Sequence, residues 1–220
     1  MYTVHDLYDL IHTQAAPLLE EVEYPWQALA GISGFILSLG NTLSAEDYDH
    51  PSEDVWIAKS AKVAPTANIT GPCIVGPETE VRHCAFIRGK ALIGAGCVVG
   101  NSTELKNVIL FDQAKVPHYN YVGDSILGFQ AHMGAGSITS NVKSDKTLVV
   151  IRDGEERFPT GLKKVGAMLG DRAEIGCNTV LNPGTVIGRD SSVYPTSCVR
   201  GTVPANSIFK DQAHIVPKAQ

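Results

Sequence analysis

The run Val116-Pro117-His118-Tyr119-Asn120-Tyr121 sets an imidazole three residues from a phenol, in a polar stretch rather than on an apolar stripe. An imidazole in such surroundings can take a proton from an attacking nucleophile near neutral pH; the alternative is that His118 only packs beside Tyr121. Arg88 and Lys106 lie 18 residues apart, a multiple of six. Two cations brought side by side by a repeat repel each other unless an anion bridges them, which is the arrangement of a phosphate site. Outward Arg and Lys on a solvated face are the competing reading. The stretch MGAGS (133–137) offers backbone N–H groups, that of Ala135 among them, although tight corners also call for glycine. The five cysteines, at 73, 84, 97, 177 and 198, contain no CxxC pair, so neither a thiolate zinc site nor a disulfide framework is indicated.

What positions these residues is an internal period of six. From residue 57 the chain divides into IAKSAK, VAPTAN, ITGPCI, VGPETE, VRHCAF, IRGKAL, IGAGCV, VGNSTE and LKNVI. The first position is always a branched aliphatic: Ile57, Val63, Ile69, Val75, Val81, Ile87, Ile93, Val99, Leu105. The fifth position is small up to Thr103, and Ile109 falls there next. A period of six matches neither a helix (3.6) nor a long amphipathic strand (2.0). A hexapeptide β-helix explains it, with three units per triangular coil, coils stacked at about 4.8 Å, aliphatics pointing inward and small residues filling the corners. The expected fold class is therefore all-β, a left-handed parallel β-helix, an exception to the usual right-handed crossover. Two units, LKNVI and VGDSI, have five residues and stand three units apart, so both shortenings fall on the same edge of adjacent coils. The pattern resumes at Leu169, Ile175, Leu181, Ile187, Val193 and Val199.

Stacking predicts which side chains meet. One face carries His83, Asn101, His118 and Ala135 in a column; the next carries Arg88, Lys106, Gly123 and Ser140, with Asp124 and Asn141 one position further on. Tyr121 sits at the corner between the two faces. His118, Tyr121, Arg88, Lys106 and Asn141 should thus form one cluster on an otherwise acidic protein. His83 and His118 are two coils apart, roughly 9 to 10 Å, too far to share one ion within a subunit, and His132 is expected on a different face. No metal site is expected.

Hydrophobic residues make up 44% of the 220-residue chain and charged residues 19%, with a net charge of -5. This excludes intrinsic disorder and argues against a general nucleic-acid binder, while low charge hints at a surface that meets another subunit. The first residues, MYTVHDLYDL, lack a cationic region followed by an apolar run, so no signal peptide is expected. Ala28 to Leu39 is too short for a membrane span, and a reduced cytoplasmic protein is expected. Residues 1–50 read as an N-terminal helical segment. Thr3 caps a helix through Val4, Leu7, Leu10 and Ile11 that continues at Leu18, Leu19 and Val22. A second begins at Pro25, carries Trp26, Leu29, Ile32, Ile36 and Leu39, and ends at Gly40-Asn41. These helices offer packing or oligomerisation rather than chemistry. Residues 51–220 form the hexapeptide-repeat domain, with a loop at 148–161 extruded from the prism around Asp153-Gly154, either reaching a neighbouring subunit or solvated.

The segment ELKNVILFDQAKVPHYNYVGDSILGFQAHMGAGSITSNVKSDKT (104–147) carries K-V-P-H-x-x-Y-x-G-D followed by G-A-G-x-I-T-x-N. In these motifs, over roughly residues 81–200, the chain resembles the acetyltransferase domain of the bifunctional glucosamine-1-phosphate N-acetyltransferase / N-acetylglucosamine-1-phosphate uridyltransferase family of UDP-N-acetylglucosamine biosynthesis. The resemblance implies an acetyl-CoA-dependent N-acetyltransferase acting as a homotrimer on an amino-sugar phosphate such as glucosamine 1-phosphate. It implies His118 as general base, Arg88, Lys106 and Tyr121 as sugar-phosphate contacts, and Asn141 as an active-site asparagine. The Ala135 N–H would meet the acetyl thioester, and Cys177 stands where the family has a cofactor-side serine. No G-x-G-T-R loop is present, so nucleotidyl transfer is not expected of this chain. His132 replaces an asparagine, the stretch after Asn141 is shorter, the 148–161 loop looks inserted, and the final VRGTVPANSIFKDQAHIVPKAQ does not match the family's CoA-side tail. These departures keep open a second possibility, a non-catalytic sugar-nucleotide-binding or assembly protein on the same β-helix. Nothing points to a nucleic-acid or membrane partner.

Overall fold

A computed structural model describes residues 1–219, and the chain forms a parallel β-solenoid of about nine turns. Short strands stack in parallel registers one coil apart, as in the ladders Val81↔Val99, Val99↔Val116 and Met133↔Ile175. The first-position aliphatics converge in one interior cluster. Val75, Val81, Ile87, Ile93, Val99 and Leu105 are fully buried there, and Ile57, Val63 and Ile69 close the open end partly buried. Leu169, Ile175, Leu181, Ile187, Val193 and Val199 continue the same cluster after the interruption. The interior is too narrow for large side chains at the corners, which is why Cys73, Ala85, Ala91 and Cys97 occupy them. Thr79 and Thr103 also fit, because their hydroxyls donate to the Gly94 and Val116 carbonyls and leave no buried donor unpaired.

The five-residue units behave differently from a simple fifth-position reading. Val108, not Ile109, pairs with Ala91 and enters the interior, while Ile109 and likewise Ile126 point outward into a second core. Losing one corner residue advances the pattern by one, so the small-residue rule does not extend to Ile109. The corner becomes a single residue in left-handed conformation, Asn107 (φ 56°) and Asp124 (φ 49°). Asn and Asp tolerate that conformation better than most side chains. The strands Glu104–Leu110 and Tyr121–Leu127 therefore run round the edge without a break and join two prism faces into a 14-stranded sheet. The third face is a separate nine-stranded sheet.

The N-terminal segment covers one prism face. Thr3 caps a short helix, Val4–Leu7, in a reciprocal capping box with Asp6. The expected long first helix is broken instead into Val4–Leu7, a 3-10 turn Leu10–His12 and Ala16–Glu20. Pro25 opens a 3-10 turn, Pro25–Ala30, which leads into the helix Ile32–Gly40. Trp26, Leu29, Ile32 and Ile36 are buried against the outward Ile74, Leu92, Ile109 and Ile126 of the coils. Each fully buried Ile or Leu here contributes about 1.5–3 kcal/mol, so packing on the chain's own prism accounts for the apolar stripe.

The 148–161 segment is a hairpin, Val150–Asp153 with Glu156–Pro159, turning at Gly154 (φ 57°). Its inner strand is anchored on the chain's own prism, while its turn and outer strand face solvent. Val149 and Ile151 are buried in the second core, and Asp153 pairs with the Met1 ammonium at 2.6 Å. Antiparallel hairpins, Tyr48–Ser52 with Val55–Ala58 and Ser207–Asp211 with His214–Pro217, form one edge of each large sheet.

Burial pushes the thiols of Cys73 and Cys97 up to about 12, whereas Cys84, Cys177 and Cys198 are exposed. A thiol reagent should therefore modify three cysteines in the native protein and five after denaturation, because only an accessible thiolate reacts. Equal reactivity of all five in the native state, counted by intact mass, would contradict this packing.

Candidate active site

The strand Lys115–His118 ends one face and Tyr121–Leu127 begins the next, so His118 and Tyr121 flank a two-residue corner. Asn120, 2% exposed, fixes that corner: its Nδ2 donates to the carbonyls of Gly134 (2.9 Å) and Ser137 (3.0 Å), and its Oδ1 accepts from the His118 N–H at 3.1 Å. The His118 carbonyl accepts from the Gly136 N–H at 3.0 Å. The backbone of His118 is thus held on both sides while its ring is exposed and, among the described residues, takes no hydrogen-bond partner.

Below His118 in the ladder stands Asn101, whose Oδ1 is buried without a partner. Above it comes Ala135 at the Gly134-Ala135-Gly136 corner, and then Cys177, exposed. The Ala135 carbonyl accepts from Asn178 at 2.8 Å, but no acceptor within the described residues takes the Ala135 N–H. One strand spacing, about 4.8 Å, separates neighbours in this column.

On the adjoining face Asp124 is the hub. Only 4% exposed, its carboxylate accepts from Asn107 Nδ2 (2.9 Å) and Asn141 Nδ2 (2.5 Å), and Lys106 Nζ lies 3.3 and 3.4 Å from its two oxygens. Asn141 Nδ2 also donates to the Tyr121 hydroxyl at 3.2 Å. The shortened corners cause this arrangement, because removing one residue per coil stacks Asn107, Asp124 and Asn141 in one column. Gly123 makes room for it: a Cβ there would lie 2.5 Å from the Tyr121 hydroxyl and 2.9 Å from Asn141 Nδ2. Burial, opposed by the Asn141 hydrogen bond, raises the Tyr121 phenol above its usual range, so it stays protonated at neutral pH.

The residues of the expected cluster lie along one short face, from His118 and Tyr121 at one corner to Lys106 and Asn141 beside Asp124 at the next, with Arg88 one strand below Lys106, and one difference stands out. Arg88 and Lys106 do not face each other bare. Arg88 Nη1 bonds Glu104 Oε1 at 2.6 Å, which raises its already high pKa, and Lys106 leans on Asp124. Each cation keeps further N–H donors for a ligand. His132 departs from expectation: it opens a strand on the same nine-stranded sheet as His118, paired in register with Lys115, and its Nδ1 lies 2.8 Å from Glu174. The sequence pattern places it across a corner because the six-residue cut assigns it to the unit before. Among the described residues no His, Cys, Asp and Glu side chains converge as a metal site.

Stacking places Asp124 beside Asn141, but residue type alone does not show that Asp124 binds Lys106 and Asn107 or that Glu104 binds Arg88. The signal that could have found them is the pair of shortened units, which put two corner carboxamides on either side of a corner carboxylate. A cavity of about 440 Å³ lies lower on the prism between Lys62, Glu80, Arg82, His83 and Asn101, and it meets the His118 column only at Asn101 and His83. No helix among the described residues is long and apolar enough to cross a membrane.

Comparison with known proteins agrees with the motif. The family described as the GMPPB C-terminal domain matches residues 69–153. The bifunctional protein GlmU of Methanococcus maripaludis is 28% identical over 201 residues, covering 90% of this chain and 49% of that protein. A bifunctional sugar-1-phosphate nucleotidylyltransferase/acetyltransferase of Sulfurisphaera tokodaii is 31% identical over 135 residues, covering 61% and 32%. GlmU of a Nostoc species is 36% identical over 130 residues, covering 59% and 25%. The chain spans half or less of the length of these relatives, and the resemblance to their C-terminal, acetyltransferase part holds. Among solved structures, a putative acetyltransferase of Bacillus cereus overlaps 76% of this chain and 78% of its own, at 22% identity and TM-score 0.42. A perosamine N-acetyltransferase variant of Caulobacter crescentus overlaps 76% and 57%, at 18% identity and TM-score 0.36.

Proposed function

We propose that this chain transfers an acetyl group from acetyl-CoA to the amine of an amino-sugar phosphate or its nucleotide derivative, with glucosamine 1-phosphate the first acceptor to try. One observation carries the reading: an imidazole, His118, and a backbone N–H, that of Ala135, both without a partner among the described residues, stand on neighbouring coils one short face away from the polar corner built on Asp124. The motif shared with GlmU-type relatives supports the same assignment.

In this mechanism the acceptor nitrogen attacks the thioester carbonyl carbon, and the new N–C bond leaves a proton on nitrogen that His118 removes. The Ala135 N–H donates to the oxygen on which negative charge develops. Collapse of the tetrahedral intermediate breaks the C–S bond, and the imidazolium returns its proton to sulfur, so CoA leaves as the thiol and the ring is neutral again. Lys106 and Arg88 hold the acceptor phosphate with the donors that Asp124 and Glu104 leave free. Tyr121 and Asn141, bonded to each other, orient the sugar. Cys177, one strand beyond Ala135, lines the side on which the donor lies.

The working unit is a homotrimer. The N-terminal segment covers one prism face and leaves two bare, with the exposed His118 at the corner between them, so a neighbouring prism would wall the site. Light scattering at micromolar concentration should give three times the chain mass; a stable monomer would contradict the assembly. Five cysteines without a disulfide accord with a reducing, cytoplasmic setting.

The test is a panel of amino-sugar phosphates and nucleotide-linked amino sugars incubated with acetyl-CoA, followed by release of free thiol. Acceptor-dependent release supports the proposal. Binding of an acceptor by calorimetry with no release for any member would favour a sugar-nucleotide-binding protein instead.

A further inference from the structure

A groove of about 380 Å³ lies between the 148–161 hairpin and the last turns of the prism, lined by Lys143, Arg152, Arg157 and Arg200 over the floor Asn182-Pro183-Gly184. It opens into a second hollow of about 290 Å³ that shares Lys143, Asn182, Pro183 and Arg200. The first contains four cations and no carboxylate. The second contains one, Asp145, which is engaged by Lys143 at 3.3 Å and by the Thr147 hydroxyl at 2.8 Å. Asp153, the acid nearest Arg152 in sequence, is turned away to the Met1 ammonium. Arg157 donates only to backbone carbonyls, those of Gly154 and Glu156.

This concentration of positive charge runs against the rest of the molecule, whose net charge is -5. It is also built at a cost. Arg152 and Arg157 are direct cross-strand partners in the hairpin, and like charges placed opposite each other destabilise a two-stranded sheet. The hairpin is seated so that this pair overlooks the groove. Gly184 (φ 79°) and Gly201 (φ 76°) admit it, since a Cβ at Gly184 would lie 2.9 Å from Val149 and Ile151, and one at Gly201 2.9 Å from the Arg152 carbonyl. The Thr202 hydroxyl donates to the same carbonyl at 3.1 Å. Three arginines with no side-chain carboxylate partner among the described residues, joined by Lys143, which is shared with Asp145, surround the hollow and fit a compact ligand carrying several negative charges.

We infer that this groove binds the diphosphate group of an organic diphosphate. It deepens the proposed transferase reading by naming where one substrate's diphosphate sits, and its chemistry does not depend on the transfer step. The groove begins at Ser140, one residue before Asn141, and continues along the column Gly123, Ser140, Asn182. The distance from Gly123 to Asn182 is two strand spacings, about 10 Å. A ligand anchored here can therefore reach the Asp124 corner, which one short face, Tyr121 to Gly123, separates from the His118 corner. Both substrates of the proposed reaction have the required group: CoA as donor, and a nucleotide-linked amino sugar as acceptor.

The experiment is calorimetric titration of the full chain with inorganic pyrophosphate, CoA and UDP separately, on wild type, Arg152→Gln/Arg200→Gln and His118→Ala. Pyrophosphate and at least one nucleotide should bind wild type and His118→Ala alike, and the double substitution should weaken both by about tenfold or more. Competition of CoA with pyrophosphate marks the donor as the ligand; competition of UDP marks the acceptor. As a check on folding, Arg157→Gln should raise the ligand-free melting temperature by relieving the opposed arginines, and should reduce the rise that pyrophosphate produces. No binding of any of the three at millimolar concentration, or equal affinity in the double variant, would overturn the inference. Absence of acetyl transfer by the wild type with pyrophosphate binding intact would leave it standing, so its failure and that of the transferase reading are separable.

Discussion

His118→Ala is expected to lower kcat by roughly a hundredfold to ten-thousandfold, the range that general-base catalysis contributes, while leaving the affinity for acetyl-CoA close to wild type. The reason lies in how the residue is held. Its backbone N–H and carbonyl are both engaged, by Asn120 and Gly136, so truncating the ring leaves the corner in place. Among the described residues the ring takes no hydrogen-bond partner, and it is exposed, so its removal opens no cavity in the core. A loss confined to kcat, with an unchanged melting temperature, therefore identifies a proton-transfer role. The competing reading, that His118 only packs beside Tyr121, predicts a shifted melting temperature and a near-normal rate per folded molecule.

Asp124→Ala should produce the largest loss of stability of any single change at the site. The substitution strands the Lys106 ammonium and two carboxamide donors around an almost fully buried position. Breaking a buried ion pair by removing one partner costs about 3–5 kcal/mol, and because the Lys106 side chain keeps 25% of its exposure the lower end applies. Alanine also fits poorly at φ 49°, which adds about 1–2 kcal/mol. For a chain of this size the melting temperature should fall by roughly 10 °C. Asp124→Asn separates the two contributions: it tolerates the backbone conformation and keeps one acceptor oxygen, but presents an amide donor to donors. It should lose about 1–3 kcal/mol and should release Asn141 and Tyr121 from their fixed orientation, raising the acceptor's KM. A melting temperature unchanged in both variants would show that Asp124 is not the centre of the corner.

The period of six made the prism legible, because the narrow interior admits only aliphatics at one position and small residues at another, and every coil repeats the constraint. It also made the cluster legible, since residues 17 or 18 apart must stack. The two shortened units were visible as lengths, but their consequence was not. Omitting one corner residue turns Ile109 and Ile126 outward to meet the N-terminal helices, and it lets Asp124 gather the neighbouring side chains. Residue type alone could not pair Arg88 with Glu104 or Lys106 with Asp124, because the pairings depend on side-chain direction across a strand, which the repeat leaves free. The breaks in the first helix are not legible for a related reason: backbone groups of Leu7, Asp9 and His12 bond to Asp171 and Asp112 of the distant coils instead of continuing a helical ladder. The hairpin's place was likewise hidden, being set by two distant glycines, Gly184 and Gly201, and by the chain's own amino terminus.

The central claim is that the His118 corner moves an acetyl group onto a sugar amine. The most direct measurement is the mass of the acceptor itself, taken after wild-type protein and acetyl-CoA have been incubated with each amino-sugar phosphate or nucleotide-linked amino sugar, with His118→Ala run in parallel. At least one acceptor should gain one acetyl group on nitrogen, in step with thiol release, and His118→Ala should form that product at least a hundredfold more slowly. An acceptor that binds yet is recovered unmodified, or one acetylated as fast by His118→Ala as by wild type, would contradict it.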